Sequence, residues 1–432
     1  MKILVIGLTS SKWGGMEFHN LGNYVIAEPF FAHLRETFPD AEIDTSLQMS
    51  EEFYTRHRLR GLNHNRFWMY GYRTAFETAM DSVRVLLYKT FRSTWFLKGK
   101  LLNEIKNSDL VIDFSGDIYG DNAGWNKFLE TNARLMFCLS LGKPVAMLIG
   151  SPGPFQSFWR QWLAKKVLPR LSLVTNREPL STAMLAYIGI KGSNIISTAC
   201  PSVLFKKKPF MHDRSPEDYD KIFGYSRPIV GFILCGWNMP SGPYNKWPRE
   251  DSEFRTFIKL IEYLLRTTNY RICIMTHQNA TNAEGGLEKG NDHRIIDKLF
   301  ELLGEKVDGD RVFTLKGLYD AGETKFIISH FDILISGRIH GAVQGLSQGV
   351  PTVVIDYGHE PKAHKIAGFA RVYGVDDFVA DPLDSDSLIN VTMDLISEKD
   401  RTREYLQARV PKIKEMALLN FRLIQKFEVV DK

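Results

Sequence analysis

The sequence predicts an α/β protein with two doubly wound domains that face each other across a cleft. Short apolar runs alternate with stretches of helical spacing along most of the chain, which is the pattern of parallel strands covered by helices. The alternation is interrupted at 206–228, where a lysine run, several prolines and few aliphatic residues indicate a linker. The chain has 432 residues, which is long for one hydrophobic core. We therefore expect an N-terminal domain over 1–205, a C-terminal domain over 229–400 and a closing helix over 401–432.

The composition is that of an ordinary globular protein. Hydrophobic residues make up 44% of the chain and charged residues 24%, with a formal net charge of +5. This mild positive charge fits an anionic substrate but does not by itself indicate nucleic acid, and we expect no nucleic-acid partner. No apolar run approaches the roughly 20 residues that cross a bilayer.

The chain start and the cysteines both point to the cytoplasm. The opening residues MKILVIG run straight into a strand pattern without a long apolar core or a cleavage site, so we expect no signal peptide. The four cysteines lie far apart in apolar surroundings, as buried thiols of a reducing compartment do. They are Cys138, Cys200, Cys235 and Cys273.

The first half contains six apolar runs of strand length. A helix pattern starts near Asn23, after the Gly-containing loop Thr9–Gly22. Free backbone N–H groups at a helix start favour an anion, although the loop lacks the GxGxxG of a dinucleotide site and an ordinary βα loop is the alternative. The predicted strands are Lys2–Leu8, Ala41–Thr45, Asp109–Phe114, Lys143–Gly150, Leu171–Thr175 and Ile195–Thr198.

Polar side chains come after two of these runs. Asp117 and Asp121 come after Asp109–Phe114, and a carboxylate there could orient or deprotonate a substrate hydroxyl or cap the next helix. Arg177 comes after Leu171–Thr175 and could bind an anion or pair with a neighbouring acid. The sequence leaves both alternatives open for each residue.

The segment Tyr54–Lys100 differs from the rest of the first half. It has ten Lys and Arg residues against two acids, with Phe, Trp and Tyr interleaved. We expect a basic, aromatic helical insertion over 50–105. The segment could form one or two solvated helices with aromatic anchors in the core. Alternatively, it could form a face that meets a membrane surface or an acidic glycan.

The second half repeats the strand and helix pattern. The last predicted helix, Lys399–Phe427, is long enough to cross back to the first domain, as in glycosyltransferases with two Rossmann-like domains (type B). The predicted strands are Ile229–Cys235, Tyr270–Thr276, Arg311–Leu315, Phe331–Ser336 and Thr352–Asp356.

The stretch Phe331–Ile366 has the clearest functional pattern. Arg338 and His340 come directly after a buried strand, and a cationic loop that includes Lys362 comes after the next strand. His277 comes after an earlier strand of the same half. Because open α/β sheets bind ligands at the carboxyl ends of their strands, we expect a small anion, phosphate or carboxylate, at this edge.

This stretch resembles the polysaccharide pyruvyl transferase family. The matching words are SGRIH at 336–340, the GVP turn at 349–351 and the loop from Tyr357 to Lys362. Shorter words in the first half also match. They are NLGN at 20–23, SGDIYGDNAG at 115–124, SPGPF at 151–155 and NREPLSTAMLAYIGI at 176–190.

The chain departs from the family pattern at three positions. Asn23 and Cys200 stand where the family often has Asp, and Asp117 stands where a second Gly is common. These changes put in doubt any acid or base role at Asn23 and whatever the acid at Cys200 does in relatives.

The resemblance implies transfer of pyruvate from phosphoenolpyruvate to sugar hydroxyls, forming a ketal. Its donor carries a carboxylate and a phosphate, so we expect Arg338, Arg177 and Lys362 to bind it. His340 is the expected general acid. His277 could act on the acceptor or the phosphate, and Asp117 on the acceptor hydroxyl.

The resemblance also implies binding partners and a different binding role for each domain. We expect the N-terminal domain on the acceptor side and the C-terminal domain on the donor side. The acceptor would be a polysaccharide or a lipid-linked glycan precursor. We expect the protein to lie in the cytoplasm or at the inner face of the membrane. We expect no cofactor besides the co-substrate, and no metal, because no His, Cys and acid cluster has ligand spacing.

Two other functions stay open at this point. One is a nucleotide-sugar glycosyltransferase of the same architecture, for which Glu360 is the only candidate beside the cationic loop for an acid that binds the ribose. The other is a non-catalytic glycan-binding relative, favoured by Asn23 and Cys200 in place of acids.

Overall fold

The computed structural model describes most of the chain. The described residues are 1–7, 20–47, 49–62, 72–121, 123–242, 246–278, 280–281, 287–288, 291–304, 309–315, 317–357 and 363–428, without the side chains of 72, 73, 117, 280, 281, 287, 288, 291 and 363. By their contacts, residues fall into two compact units. Unit 1 comprises Met1–Met16, Phe30–Cys200 and Met416–Lys432, and unit 2 comprises Glu17–Pro29 and Pro201–Glu415.

Unit 1 is built on a parallel sheet of seven described strands in the order β3-β2-β1-β4-β5-β6-β7. The strands are β1 Lys2–Ile6, β2 Glu42–Thr45, β3 Leu59–Gly61, β4 Leu110–Asp113, β5 Val145–Gly150, β6 Leu173–Asn176 and β7 Ile195–Ser197. The helices of this part of the chain are α1 Leu21–Thr37, α2 Glu51–His57, α3 Tyr72–Phe91, α4 Lys100–Asn107, α5 Trp125–Ser140, α6 Phe158–Val167 and α7 Pro179–Tyr187. Strands β4, β5 and β6 are buried along their whole length, as expected for a sheet covered on both faces.

Unit 2 contains a second parallel sheet of six described strands in the order β12-β9-β8-β13-β14-β15, and a separate antiparallel pair, β10-β11. The strands are β8 Ile229–Ile233, β9 Arg271–Ile274, β10 Ala280–Thr281, β11 Leu287–Glu288, β12 Val312–Thr314, β13 Ile333–Ser336, β14 Thr352–Ile355 and β15 Val379–Ala380. The helices are α8 Pro216–Phe223, α9 Arg255–Thr267, α10 Asn291–Leu303, α11 Ala321–Ile328, α12 Ile339–Leu346, α13 Ala363–Tyr373, α14 Ser385–Ser397 and α15 Lys399–Gln425.

The strand order reverses once in the second sheet. From β8 the chain first adds β9 and then β12 on one side, and afterwards β13, β14 and β15 on the other. Such a reversal opens a crevice at the carboxyl ends of the two strands that flank it. In unit 2 these strands are β8 and β13, and β13 is the strand that precedes Arg338 and His340.

The contact-based division differs from the predicted boundaries in two places. The segment 206–228 carries α8 and buries Phe210 and Ile222 in a core cluster of unit 2, so it is packed structure there and not a free connection. Glu17–Pro29, from the N-terminal part of the chain, groups with unit 2. The closing helix α15 contributes its residues up to Glu415 to unit 2 and the rest to unit 1.

The described helices and cysteines test the expectations about membrane-spanning segments and free thiols. None of the helices in the described part of the chain combines the length and apolar character that crossing a bilayer requires. All four cysteines are buried free thiols.

Candidate active site

An ion pair between Arg338 and Asp292 lies at the carboxyl edge of the second sheet. Arg338 is the N-cap residue of α12, and Asp292 is in the first turn of α10. Nε of Arg338 donates to Oδ2 of Asp292 at 2.8 Å, and Nη2 donates to Oδ1. Burial lowers the pKa of Arg338, but the charge of Asp292 outweighs burial and the pKa lies above its ordinary range. Arg338 therefore stays protonated, and its two-pronged contact with Asp292 fixes the guanidinium plane.

The same carboxylate also holds the chain after β9. Oδ2 of Asp292 accepts the backbone N–H of Gln278 at 2.8 Å and that of His277 at 3.2 Å. Asp292 itself is almost fully buried, with 1% of its side chain exposed. One carboxylate thus ties together the ends of β9 and β13 and the start of α10.

His277, whose backbone N–H donates to Asp292, has a neutral ring. It is buried, and its Nε2 has no hydrogen-bond partner among the described residues. Burial, helped by the positive charge of Arg338, lowers the pKa of His277 to about 3, while Gln344 acts in the opposite direction. At neutral pH the ring is therefore uncharged, and its buried position fits support of the Arg338 turn better than direct contact with a donor.

The turn after β13 is locked against the turn after β8. A β-carbon placed at Gly337 would lie 1.9 Å from Oδ1 of Asn238, so only glycine fits. Oδ1 of Asn238 accepts the N–H of Cys235 at 2.9 Å, and Sγ of Cys235 donates to the Gly337 carbonyl at 3.2 Å. Burial raises the pKa of Cys235 to about 11, so this cysteine is a structural thiol and not a nucleophile.

His340 occupies the first turn of α12 and contacts the N-terminal segment of the chain. A β-carbon placed at Gly22 would lie 3.0 Å from Nδ1 and 3.4 Å from Cβ of His340. On another side, the rings of His340 and Phe369 meet edge to face at a centroid distance of 6.0 Å. His340 is only partly buried, as a group that exchanges a proton with a ligand must be.

The segment at 20–24 is itself anchored in unit 2. Asn20 forms an antiparallel bridge with Gln278, and its Oδ1 accepts the N–H of Asn23 at 3.1 Å at the start of α1. Tyr24 packs edge to face on Phe205. Gln278 in turn is held by Asp292, so the NLGN segment, the β9 turn and the Arg338 pair form one connected structure.

The predicted site residues of the first half lie in unit 1. Arg177 is buried after β6, and its Nε donates to Oγ of Ser151 at 2.8 Å. Asp117 belongs to the short helix Ser115–Ile118 after β4, and its side chain is outside the described residues. Asp121 accepts the N–H groups of Gln156 and Ser157 just before α6 and pairs with Arg160. It does not cap α5, the next helix, whose N-cap is Gly124 without a side-chain capping bond.

Lys362 lies outside the described residues, as does Glu360. The structure therefore brings together Arg338, His340 and His277, and it places Arg177 and Asp117 at strand ends of the first sheet. Sequence reasoning missed the role of Asp292, for which the only signal was an acid at a helix start, and it missed the packing of Gly22 on His340.

The described residues contain no group of three or more His, Cys, Asp and Glu side chains placed to hold a metal ion. The residues around Arg338 and His340 are instead suited to binding an anion. The start of α12 presents its backbone N–H groups at the switch point, next to a fixed guanidinium and an imidazole.

A family model of polysaccharide pyruvyl transferases matches residues 20–359, from the NLGN segment to the loop after β14. The chain belongs to the polysaccharide pyruvyl transferase family. Membership of this family makes the protein an enzyme of the polysaccharide pyruvyl transferase type. No protein in the curated comparison matches the chain.

The fold of this pyruvyl transferase family member is shared by an epimerase, a glycosyltransferase and a UDP-bound protein of known structure. UDP-GlcNAc 2-epimerase from Neisseria meningitidis, bound to UDP-GlcNAc, aligns with a TM-score of 0.57 at 12% identity over 99% of this chain and 100% of that chain. HepE from Anabaena, in complex with UDP and glucose, gives 0.54 at 15% identity over 99% and 98%. A glycosyltransferase from Rickettsia africae gives 0.57 at 9% identity over 98% of both chains. These likenesses confirm the predicted fold class, α/β with two Rossmann-like halves of the type-B glycosyltransferase kind.

Proposed function

We propose that this enzyme transfers the pyruvyl group of phosphoenolpyruvate to two hydroxyls of a sugar in a polysaccharide or a lipid-linked glycan precursor. A proton adds to the methylene carbon of the donor, and one hydroxyl attacks the carbon that bears the phosphate. Phosphate leaves, and the second hydroxyl closes a cyclic ketal. Both hydroxyl protons are released: one replaces the proton given to the methylene carbon, and the other is taken up by the departing phosphate. No redox cofactor is needed for this balance.

The observation that supports this proposal most is the placement of Arg338 and His340 on one turn at the switch point of the second sheet. Nη1 of Arg338 takes no part in the pair with Asp292, and we assign it to the donor carboxylate. His340 is the proposed general acid toward the methylene carbon, because an imidazole titrates near neutral pH.

The remaining charge of the donor needs further cations, since Asp292 already balances Arg338. We propose that Lys362 and Arg177 supply them, and that Asp117 orients or deprotonates an acceptor hydroxyl. His277 is proposed to hold the Arg338 turn in place, because its ring is buried and neutral.

Phosphate release tests the proposal. Wild-type enzyme with phosphoenolpyruvate should release phosphate only when a glycan acceptor is added. His340→Asn removes the proton donor and should lower the rate by about 10²–10⁴-fold, and Arg338→Lys should weaken donor binding because a lysine lacks the planar fork. The matched controls are His330→Gln and Arg371→Lys, both exposed residues of unit 2, which should leave the rate unchanged.

A nucleotide-sugar glycosyltransferase is the second candidate, favoured by the fold shared with the UDP-bound proteins of Neisseria and Anabaena. A thermal-shift comparison separates the two functions. Stabilisation by phosphoenolpyruvate and none by UDP agrees with pyruvyl transfer. Stabilisation by UDP and none by phosphoenolpyruvate would replace the proposal, and binding of neither would favour a non-catalytic glycan-binding protein.

A further inference from the structure

Four helical segments of unit 1 expose large apolar side chains to solvent. Phe158 on α6 is 81% exposed, Trp125 on α5 is 67% exposed and Trp95, just after α3, is 64% exposed. Phe76 and Leu86 on α3 and Trp162 on α6 are also mostly exposed. We call the exposed surface of α3, the turn Thr94–Phe96, α5 and α6 the aromatic face. Single exposed apolar residues are normal, but a concentration of Trp and Phe marks an interaction surface.

The segments that form the aromatic face are packed together within unit 1. The hydroxyl of Thr78 on α3 donates to the carboxylate of Glu130 on α5. The rings of Phe128 on α5 and Trp159 on α6 meet edge to face at 5.4 Å. The exposed side chains therefore stand on a connected, fixed scaffold and not on separate loops.

Positive charges lie directly beside the exposed rings. Nζ of Lys98 lies 4.3 Å from the ring centroid of Trp95, and Nζ of Lys166 lies 6.0 Å from that of Trp162. Lys165 is next to Lys166, and α6 carries no acid at all. Of the acids on α3 and α5, Asp81 and Glu130 are buried and Glu77 is half-buried.

We propose that the aromatic face docks this enzyme on the surface of a membrane that contains anionic phospholipids. Trp and Phe side chains insert at the level of the headgroups, and the neighbouring lysines are attracted by the negative surface potential. A surface of exposed aromatic rings and lysines lies on a bilayer without crossing it. None of the described helices is long and apolar enough to cross one. The proposal concerns unit 1 and does not depend on the transfer reaction.

A second copy of this chain fits the aromatic face less well. A two-fold interface places the same patch against itself, so the lysines beside Trp95 and Trp162 would face a surface that carries the same positive charges. Protein interfaces are also depleted in lysine. The charge of the face therefore favours an anionic lipid surface over a homodimer.

Flotation of the full chain with vesicles tests the proposal. One set of vesicles contains phosphatidylcholine alone, and the other also contains about 30% phosphatidylglycerol. We expect partitioning into the anionic vesicles at least tenfold above the neutral ones at low salt, falling as salt is added. Neutralising one lysine, in Lys165→Gln or Lys166→Gln, should lower the partition coefficient about fivefold. Trp162→Ser should lower it about tenfold, by loss of an inserted ring.

Matched controls come from the same unit. Tyr187 is 92% exposed on α7 and Lys191 is exposed nearby, so Tyr187→Ser and Lys191→Gln should leave partitioning unchanged. The urea unfolding midpoint should be equal in all these variants, which shows that they fold. Equal partitioning into both vesicle types, or no loss in the Lys166 and Trp162 variants, would overturn the proposal. So would a dimer in light scattering that Trp162→Ser converts to a monomer without any vesicle binding.

Discussion

Arg338 and Asp292 form a two-pronged ion pair at the carboxyl edge of the second sheet, although they are 46 positions apart in the chain. The carboxylate at its centre also receives the backbone N–H groups of His277 and Gln278. The pair thus connects the chain after β9, the turn after β13 and the start of α10, and it is also part of the proposed donor site. Its loss should therefore change both folding and catalysis.

Asp292→Asn should reduce both stability and activity. The change keeps the side-chain shape but leaves the buried Arg338 charge without its counterion. We expect the free energy of unfolding to fall by roughly 3 kcal/mol, measured by urea denaturation, and phosphate release from phosphoenolpyruvate to be lost. Asp376→Asn breaks an exposed pair with Arg371 and should cost less than about 1 kcal/mol. Equal effects of the two changes would contradict the role of Asp292 in holding these three elements together.

Gly22→Ala should separate activity from stability. The added methyl would lie 3.0 Å from Nδ1 of His340, so the imidazole must shift. Alanine is also the better helix former in α1, by about 0.5–1 kcal/mol. We expect the rate of pyruvyl transfer to fall by about tenfold or more while the unfolding midpoint stays equal or rises. A variant that is fully active would show that the position of His340 is not critical.

Gly337→Ala should destabilise unit 2. A β-carbon there collides with the Asn238 amide, and that amide holds the chain at Cys235. The expected cost is about 1–3 kcal/mol, seen as a lower urea midpoint. Gly309→Ala is the control, since a β-carbon at Gly309 meets no heavy atom of the described residues within 4 Å. A midpoint that is the same in both variants would argue against the close packing of the two turns.

Lys325 should make stability depend on pH in the alkaline range. Burial, with the positive charges of Lys414 and Lys207, lowers the pKa of Lys325 to about 7, and its Nζ donates to the Phe205 carbonyl at 2.7 Å. An unfolded lysine has a pKa of about 10.4. Between these values the unfolded state binds more protons, so this residue's contribution to stability improves as pH rises from about 7 to 10.4.

Comparison with Lys325→Met isolates that contribution. The free energy of unfolding of the wild type minus that of the variant should rise between pH 7 and pH 10, in urea titrations at each pH. The exposed Lys412→Met should show no such trend. A difference that is flat with pH for Lys325→Met would mean that this lysine is solvated in the folded protein.

The sequence was sufficient to predict most of the strands and the turn after β13. The short strands β3, β10, β11 and β15 were missed, and β3 lies within the segment 50–105 that was predicted to be helical. Strand β13 ends at Ser336 and α12 starts at Ile339, so the apolar run and the RIH word placed Arg338 and His340 correctly at a sheet edge. This success is local, because apolar runs and turn residues act over a few positions. The partners of these residues were not predictable in the same way. Asp292 and Gly22 reach the site only through tertiary packing, which no periodicity encodes.

The segment 206–228 shows a second limit. Its lysines and prolines suggested a linker, yet Pro216 at the start of α8 with Glu217 and Asp218 in the first turn is a regular helix-start pattern. The aromatic character of Tyr54–Lys100 was recognised from sequence. Which of its rings face solvent was not, since that depends on how α3 packs on α5.

The proton transfer to the methylene carbon is the central claim, and one measurement tests it most directly. The reaction is run in D2O with phosphoenolpyruvate and a glycan acceptor, and the ketal product is examined by mass spectrometry and NMR. The account predicts that each ketal methyl carries one deuterium, delivered by His340, and that His340→Asn forms almost no product while His330→Gln is normal. A ketal methyl without deuterium, or full product formation by His340→Asn, would contradict it.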